Sequence, residues 1–270
     1  MLYREYSPHP ALAPYVRCYW SLALPHTKDV VCQRFLAEGV EVSFSLAGPV
    51  SIDPGSRPPG TARVACISGP MTTPMRMQYS GALDLLGICF RPGGAYRFLP
   101  YPASELVDAC ANVDDLLGTE GLGFVDRVRN DAAPRQRVAA LEGFLLAQLG
   151  RVRRDDVRVR SALGTMETLG GRVSVDQLAR LVGLSNRQLE RRFKECVGIP
   201  PKQLCRSLRF KGVLKCLTRN PADRWPSVAV ACGYYDQSHM INEFRRFAGM
   251  SPAAYFERSP GQRDLFVGNF

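Results

Sequence analysis

An internal repeat near the C-terminus constrains this chain more than any other feature. Ala179-x-x-x-Gly183 recurs fifty residues later as Ala229-x-x-x-Gly233, and Phe193-x4-Gly198-x-x-Pro201 recurs fifty-one residues later as Phe244-x4-Gly249-x-x-Pro252. The one-residue difference falls in a turn, where Gly183-Leu184-Ser185 becomes Gly233-Tyr234-Tyr235-Asp236. Each repeated position has a physical reason. A small Ala lets two helices cross closely, and Gly accepts the positive φ that closes the turn between them. Phe anchors the second helix in a core. Pro opens the following helix, where a backbone N–H would have no partner anyway.

Local signals agree with the repeat. Ser174-Val175-Asp176-Gln177 and Ser185-Asn186-Arg187-Gln188 both fit capping boxes, in which Ser and Gln satisfy each other's exposed backbone N–H groups. Two helix starts so close, with Gly183 between them, predict a helix-turn-helix. Val159, Leu163 and Met166 mark a helix before it, ended by Gly170-Gly171. Between the copies, Lys202–Thr218 is apolar almost all round, with Leu204, Leu208, Phe210, Val213, Leu214 and Leu217. Such a helix must be covered on more than one side, which predicts a rigid rod clamped between two small bundles. Held ~34 Å apart, the two second helices would enter successive major grooves of a duplex.

The charge distribution points the same way. Residues 1–155 hold 16 Lys/Arg against 15 Asp/Glu, a net +1; residues 156–270 hold 19 against 10, a net +9. A preference for arginine over lysine does not explain that asymmetry. It predicts a polyanion-binding C-terminal domain carried by a nearly neutral partner domain.

The first half reads as strands and turns. Short apolar segments (Tyr15–Leu24, Glu41–Leu46, Arg63–Ser68, Leu83–Phe90) alternate with Pro/Gly-rich stretches, the pattern of a small antiparallel sandwich or barrel. Short helices are expected at Ser104-Glu105 and Asp114–Leu117. Val138–Leu149 is a stronger helix, whose stripe of Val138, Leu141, Leu145 and Leu149 serves either as a dimer seam or as packing on its own sheet. The expected fold class is α+β with two domains. Residues 1–150 form a β-rich sensing or dimerisation domain with trailing helices, 151–158 a charged linker, 159–258 an all-α double helix-turn-helix domain, and 259–270 a tail. No apolar run approaches the roughly 18 residues of a membrane span, and Met1–Pro10 lacks a signal-peptide layout; a cytoplasmic chain is expected.

The pattern Leu178-Ala-x3-Gly-Leu-Ser-x3-Leu-x3-Phe-Lys-x3-Gly198, then Pro201, Ala229-x3-Gly-Tyr-x-Asp-Gln-Ser-His239 and Phe244-x4-Gly-x-Ser-Pro252 resembles the DNA-binding domain of the AraC/XylS family of bacterial transcription regulators. The resemblance covers roughly residues 157–257. It implies a sequence-specific regulator, an activator, that binds double-stranded promoter DNA and contacts RNA polymerase. A β-rich N-terminal domain would control it through a small-molecule effector or homodimerisation. Met240 departs from the family's usual aromatic.

By the same resemblance, the base-reading positions of the first recognition helix fall on Arg187, Glu190 and Arg191, with Asn186 near its start. Arg suits guanine O6/N7 and Glu suits cytosine N4. The second helix offers Gln237, Ser238, Ile241 and Asn242, uncharged groups suited to adenine and the thymine methyl; His239 beside them caps or packs. Phosphate contacts are expected from Arg192, Lys194, Lys202, Arg206, Arg209, Arg245 and Arg246. Trp225 reads as a core anchor. In the first half, Tyr15, Tyr19, Trp20 and Phe35 are the candidate effector-pocket residues. Cys18, Cys32, Cys66, Cys89 and Cys110 read as buried small hydrophobes, since none sits at a metal-like spacing or beside a basic cluster. No nucleophile triad, paired-carboxylate site, P-loop or dinucleotide fingerprint is present, so neither catalysis nor a cofactor or metal is expected. The rival readings are a DNA-repair or DNA-modifying enzyme with a reactive cysteine fused to the same reader, and a ligand-independent regulator controlled by a protein partner.

Overall fold

The computed structural model describes residues 2–24, 30–34, 38–47, 51–53, 65–73, 75–79, 82–113, 128, 133–151, 155–220 and 225–257. The strands are β1 (Leu2–Tyr6), β2 (Val16–Leu24), β3 (Val30–Arg34), β4 (Glu41–Ser45), β5 (Ser51–Asp53), β6 (Ala65–Ser68), β7 (Met75–Tyr79), β8 (Leu83–Phe90) and β9 (Cys110–Asn112). They form one antiparallel sheet in the order β1-β2-β8-β4-β6-β9 and a smaller one, β3-β7-β5. The β-rich first half is thus as expected; the helix expected at Asp114–Leu117 lies outside the described residues.

Alternation along the strands gives the larger sheet two apolar faces. Phe44, Ile67, Leu86 and Ile88 line one face, and helix α1 (Pro134–Arg151) lays Val138, Leu141 and Leu145 on it. The stripe therefore packs on its own sheet, which removes it as a dimer seam. Trp20, Leu22, Cys66, Leu83 and Leu85 line the opposite face with Met71. In β2 the register shifts between Val16 and Cys18, making Arg17 the extra residue of a bulge. The bulge inverts the alternation, so Val16 and Tyr19 share one face despite their odd spacing.

The rest of the described chain is helical: α2 (Val157–Thr168), α3 (Val175–Leu181), α4 (Asn186–Cys196), α5 (Pro201–Arg219), α6 (Trp225–Ala231), α7 (Gln237–Ala248) and α8 (Pro252–Glu257). Both predicted capping boxes form, at Ser174 and Ser185, and Gly183 and Gly233 close their turns at φ 65° and 79°. The expected linker is helical at both ends. α1 runs through Arg151, and the Asp156 side chain caps α2 by accepting from the N–H groups of Arg158 and Val159.

The rod is shared as expected, but unequally. Leu204 and Cys205 at its start belong to the first core, while Phe210, Val213, Leu214 and Leu217 belong to the second. Those last four repeat the buried spacing of Val159, Ala162, Leu163 and Met166 in α2. Each repeat therefore comprises three helices rather than two, and the rod doubles as the first helix of the second unit. Met240 is fully buried in the second core, so the missing aromatic leaves no exposed gap there.

The two halves of the chain touch. The 3-10 turns Gly94–Arg97 and Ala103–Leu106 pack against α4. The Tyr96 hydroxyl donates to Glu195 Oε1 at 2.7 Å, and Lys211 Nζ meets the buried Glu38 carboxylate at 2.6 Å. Gly198 sits at φ +93°, where an added Cβ would lie 2.8 Å from the Ala103 carbonyl oxygen. Gly198→Ala is therefore expected to destabilise the chain by about 1–3 kcal/mol through backbone strain and to loosen this seat. A lowered thermal midpoint, with faster hydrogen exchange at residues 94–106, would check it; an unchanged melt would refute it.

Candidate nucleic-acid interface

In α4, Leu189, Phe193 and Cys196 face the core. Helical geometry then puts Arg187, Arg191 and Lys194, spaced i, i+4 and i+7, along the opposite side, and all three are exposed, as is Glu190. Asn186 is exposed too, but its amide donates to the Asp176 carboxylate in α3 and so ties the two helices together. In α7, Met240, Phe244, Phe247 and Ala248 are buried, while Ser238, Asn242, Arg245 and Arg246 are exposed and Gln237 and Ile241 half-buried.

Superposing the repeats by their phenylalanines matches Arg187, Arg191 and Lys194 to Ser238, Asn242 and Arg245. Both second helices thus present one stripe at equivalent positions, cationic in the first unit and mostly neutral in the second. His239 packs edge-on against Tyr234, with ring centroids 5.3 Å apart, and its Nδ1 accepts from the Tyr235 N–H. Trp225 packs at the edge of the second core.

The candidate phosphate-contacting cations divide into two groups. Lys194, Lys202, Arg245 and Arg246 are exposed. Arg192, Arg206 and Arg209 are engaged by other groups of the protein, Arg192 while still 37% exposed. Arg192 pairs with Asp156 at 2.5 Å. Arg206 makes a two-pronged contact with Glu243, at 2.6 and 2.7 Å, and lies over the Phe247 ring. Arg209 lies over the Tyr234 ring. The Arg192 and Arg206 ion pairs each join the third helix of a unit to that unit's first helix, so both units use the same brace with the charges exchanged. Burial pushes the Asp156 and Glu243 carboxyls upward, but the arginine hydrogen bonds and charge outweigh it and hold both below the usual carboxylate range.

Sequence reasoning missed Arg172. It donates to the Ala231 carbonyl at 2.9 Å and to Leu169 O at 3.0 Å, bridging the two units. An added Cβ on Gly233 would lie 2.6 Å from Arg172 Cγ, so the turn glycine serves close approach as well as positive φ. A charged residue directly after Gly170-Gly171 was the only available signal.

The structure does not bring the candidate effector-pocket residues together. Tyr19 and Trp20 are neighbours on β2 and enter opposite cores. Tyr15 lies in a small cleft between the halves, with Arg97, Asp156 and Leu163, and Phe35 is outside the described residues. Among the described residues no three His, Cys, Asp or Glu side chains converge as a metal site, and no helix is long and apolar enough to cross a membrane.

Two three-helix units on a shared rod, each showing an exposed second helix, define the double helix-turn-helix class. Comparison with known proteins agrees. Residues 178–258 match a family described as a helix-turn-helix domain, and residues 4–112 match a domain of unknown function, DUF6597. The HTH-type transcriptional regulator GlxA of Rhizobium meliloti is 32% identical over 82 residues, 30% of this chain and 25% of the relative. The HTH-type transcriptional activator RhaS of Escherichia fergusonii is 34% identical over 80 residues, 30% of this chain and 28% of the relative. The chain thus spans about a quarter of either relative's length. Among solved structures, the DNA-binding domain of AdpA in complex with a target DNA is 28% identical, covering 37% of this chain and 90% of that one, with a TM-score of 0.34. Residues 178–258 therefore carry a helix-turn-helix domain, and that part of the chain is similar to HTH-type transcriptional regulators.

Proposed function

We propose that this chain is a sequence-specific transcriptional regulator, an activator, that grips promoter DNA with both helix-turn-helix units. The observation that carries this reading is the matched pair of exposed stripes on α4 and α7, each opposite a buried stripe. Arg187 and Arg191 read guanine O6/N7, and Glu190 accepts from cytosine N4. Asn242, Gln237, Ser238 and Ile241 supply a weaker reading of A·T pairs. Lys194, Lys202, Arg245 and Arg246 hold phosphates, while Arg192 and Arg206 fix the helices that carry the readers.

The N-terminal half reports its state, set by an effector or by dimerisation, through the turns seated on the C-terminal end of α4. A shift of that seat changes the angle of the first reader relative to the second, and with it promoter occupancy and contact with RNA polymerase. Selection of bound sequences from random duplexes by the full chain tests the reading. The expected product is a two-part motif about one helical turn between centres, with one G/C-rich half and a more permissive A/T-rich half. Recovery of unbiased sequence would overturn it.

A further inference from the structure

Antiparallel register sets Cys18 of β2 directly opposite Cys89 of β8. Residues opposed in this way point to the same face, and here it is the face that also carries Trp20 and Leu85. We propose that Cys18 and Cys89 form a modification site, a dithiol that a hydroperoxide converts to a reversible disulfide.

Geometry favours this pair over Cys66 and Cys110 of the same face. Cys66 is opposite Asn112 and Cys110 opposite Ser68, so those thiols are diagonal neighbours, although they too are hydrogen-bonded to each other, a contact that lowers the Cys66 thiol to about 7. Directly opposed β-carbons lie about 4.5–5.5 Å apart and diagonal ones farther, against the roughly 3.5–4.5 Å that a disulfide requires. The Cys18–Cys89 rung also borders the bulge, where strand spacing can adjust at least cost.

The chemistry divides cleanly between the two sulfurs. Cys89 is half-exposed and Cys18 buried. The hydrogen bond between the thiols, followed by burial, holds the Cys18 proton well above the ordinary thiol range, and the half-exposed Cys89 is the sulfur that an oxidant can reach. The Arg17 guanidinium, placed here by the bulge, hydrogen-bonds Cys18 and acts electrostatically on Cys89, as a reactive thiolate requires. The Cys89 thiolate attacks one peroxide oxygen. The O–O bond breaks, leaving Cys89 as a sulfenic acid and releasing an alkoxide or hydroxide that takes up the Cys89 proton. Cys18 sulfur then attacks the sulfenic sulfur, the S–O bond breaks, and hydroxyl departs with the Cys18 proton as water. Two thiols lose two electrons in total, and the peroxide gains them.

The rung lies where it can act on the seat against the helical half. β2 begins just after Tyr15, whose carbonyl accepts from the Arg91 N–H at 2.8 Å. β8 ends just before Arg91, whose guanidinium faces Glu167 of α2 at 3.9 Å, and Gly93 abuts Leu163. Closing the rung draws together the two strand ends from which those contacts extend.

The test uses the full reduced chain, titrated with hydrogen peroxide, alkylated and mapped by mass spectrometry without reduction. The expected first product is a Cys18–Cys89 linked peptide, two hydrogens lighter than its parts and restored by dithiothreitol. Cys66→Ser should leave it intact. In Cys18→Ser, dimedone should label Cys89 instead, which reads the sulfenic acid without needing the link. A first disulfide elsewhere in the wild-type chain, or dimedone on wild-type Cys89 with no link to Cys18, overturns the proposal. The mapping contains no DNA, so its outcome is separate from that of the DNA-reading proposal.

Discussion

Replacing Arg187 and Arg191 together by alanine is expected to abolish preference for the selected site while leaving the fold intact. Both side chains are exposed, and neither lies on the Leu189–Phe193–Cys196 stripe that holds α4 in place. The thermal midpoint should therefore barely move, since exposed substitutions change stability by about 0.5 kcal/mol or less. Each bidentate arginine–guanine contact discriminates by about 1–3 kcal/mol. The double variant should accordingly lose specificity by a factor of roughly 30 or more, measured by titration against specific and scrambled duplexes. Ser238→Ala and Asn242→Ala should each have smaller effects, because the second stripe lacks the two cations. An unchanged specificity ratio in the double variant would show that α4 does not read bases.

Arg206→Ala separates a brace from a phosphate contact. The Arg206 and Glu243 side chains are only 15% and 13% exposed, so removing one strands the other's charge, at a cost of about 3 kcal/mol or more. At roughly 4–8 °C per kcal/mol for a domain of this size, the helical half should melt well below the wild type. Measured below that melt, the salt dependence of DNA binding should keep its slope, whereas loss of a true phosphate contact would reduce it by about one. Arg206→Met combined with Glu243→Leu should recover much of the stability, because an apolar pair leaves no buried charge. A stable Arg206→Ala variant with a flattened salt slope would restore Arg206 to the DNA surface. The pair also predicts acid sensitivity. The Glu243 carboxyl is held below its usual range, so its stabilisation is complete above the ordinary Glu pKa of about 4.3. That stabilisation is lost as pH falls through the depressed value. The Glu243→Gln variant should lack this part of the acid transition.

These two variants show where reading the sequence succeeded and where it stopped. Arg187 and Arg206 are both arginines in a basic domain, and composition treats them alike. Helical phase distinguishes Arg187, because Leu189 and Phe193 fix which side of α4 is outside. It does not distinguish Arg206, which belongs to a rod apolar almost all round and whose partner Glu243 lies 37 residues away. The three-helix repeat escaped notice for a similar reason. Val159, Ala162, Leu163 and Met166 share only a buried spacing with Phe210, Val213, Leu214 and Leu217, and their residue types differ throughout except for one leucine.

By itself the sequence determined what lies within a few residues: both capping boxes, both turn glycines, the rod and the outward faces of α4 and α7. Hydrogen bonds and helical periodicity of that range act between near neighbours, so the residues that cause them stand side by side. Tertiary structure alone decided the rest. It paired Arg192 with Asp156 and Arg206 with Glu243, assigned Arg172 to bridge the repeats and set Cys18 opposite Cys89. Those outcomes depend on register and packing between segments far apart in the chain, and a single bulge at Arg17 is enough to change which residues face one another.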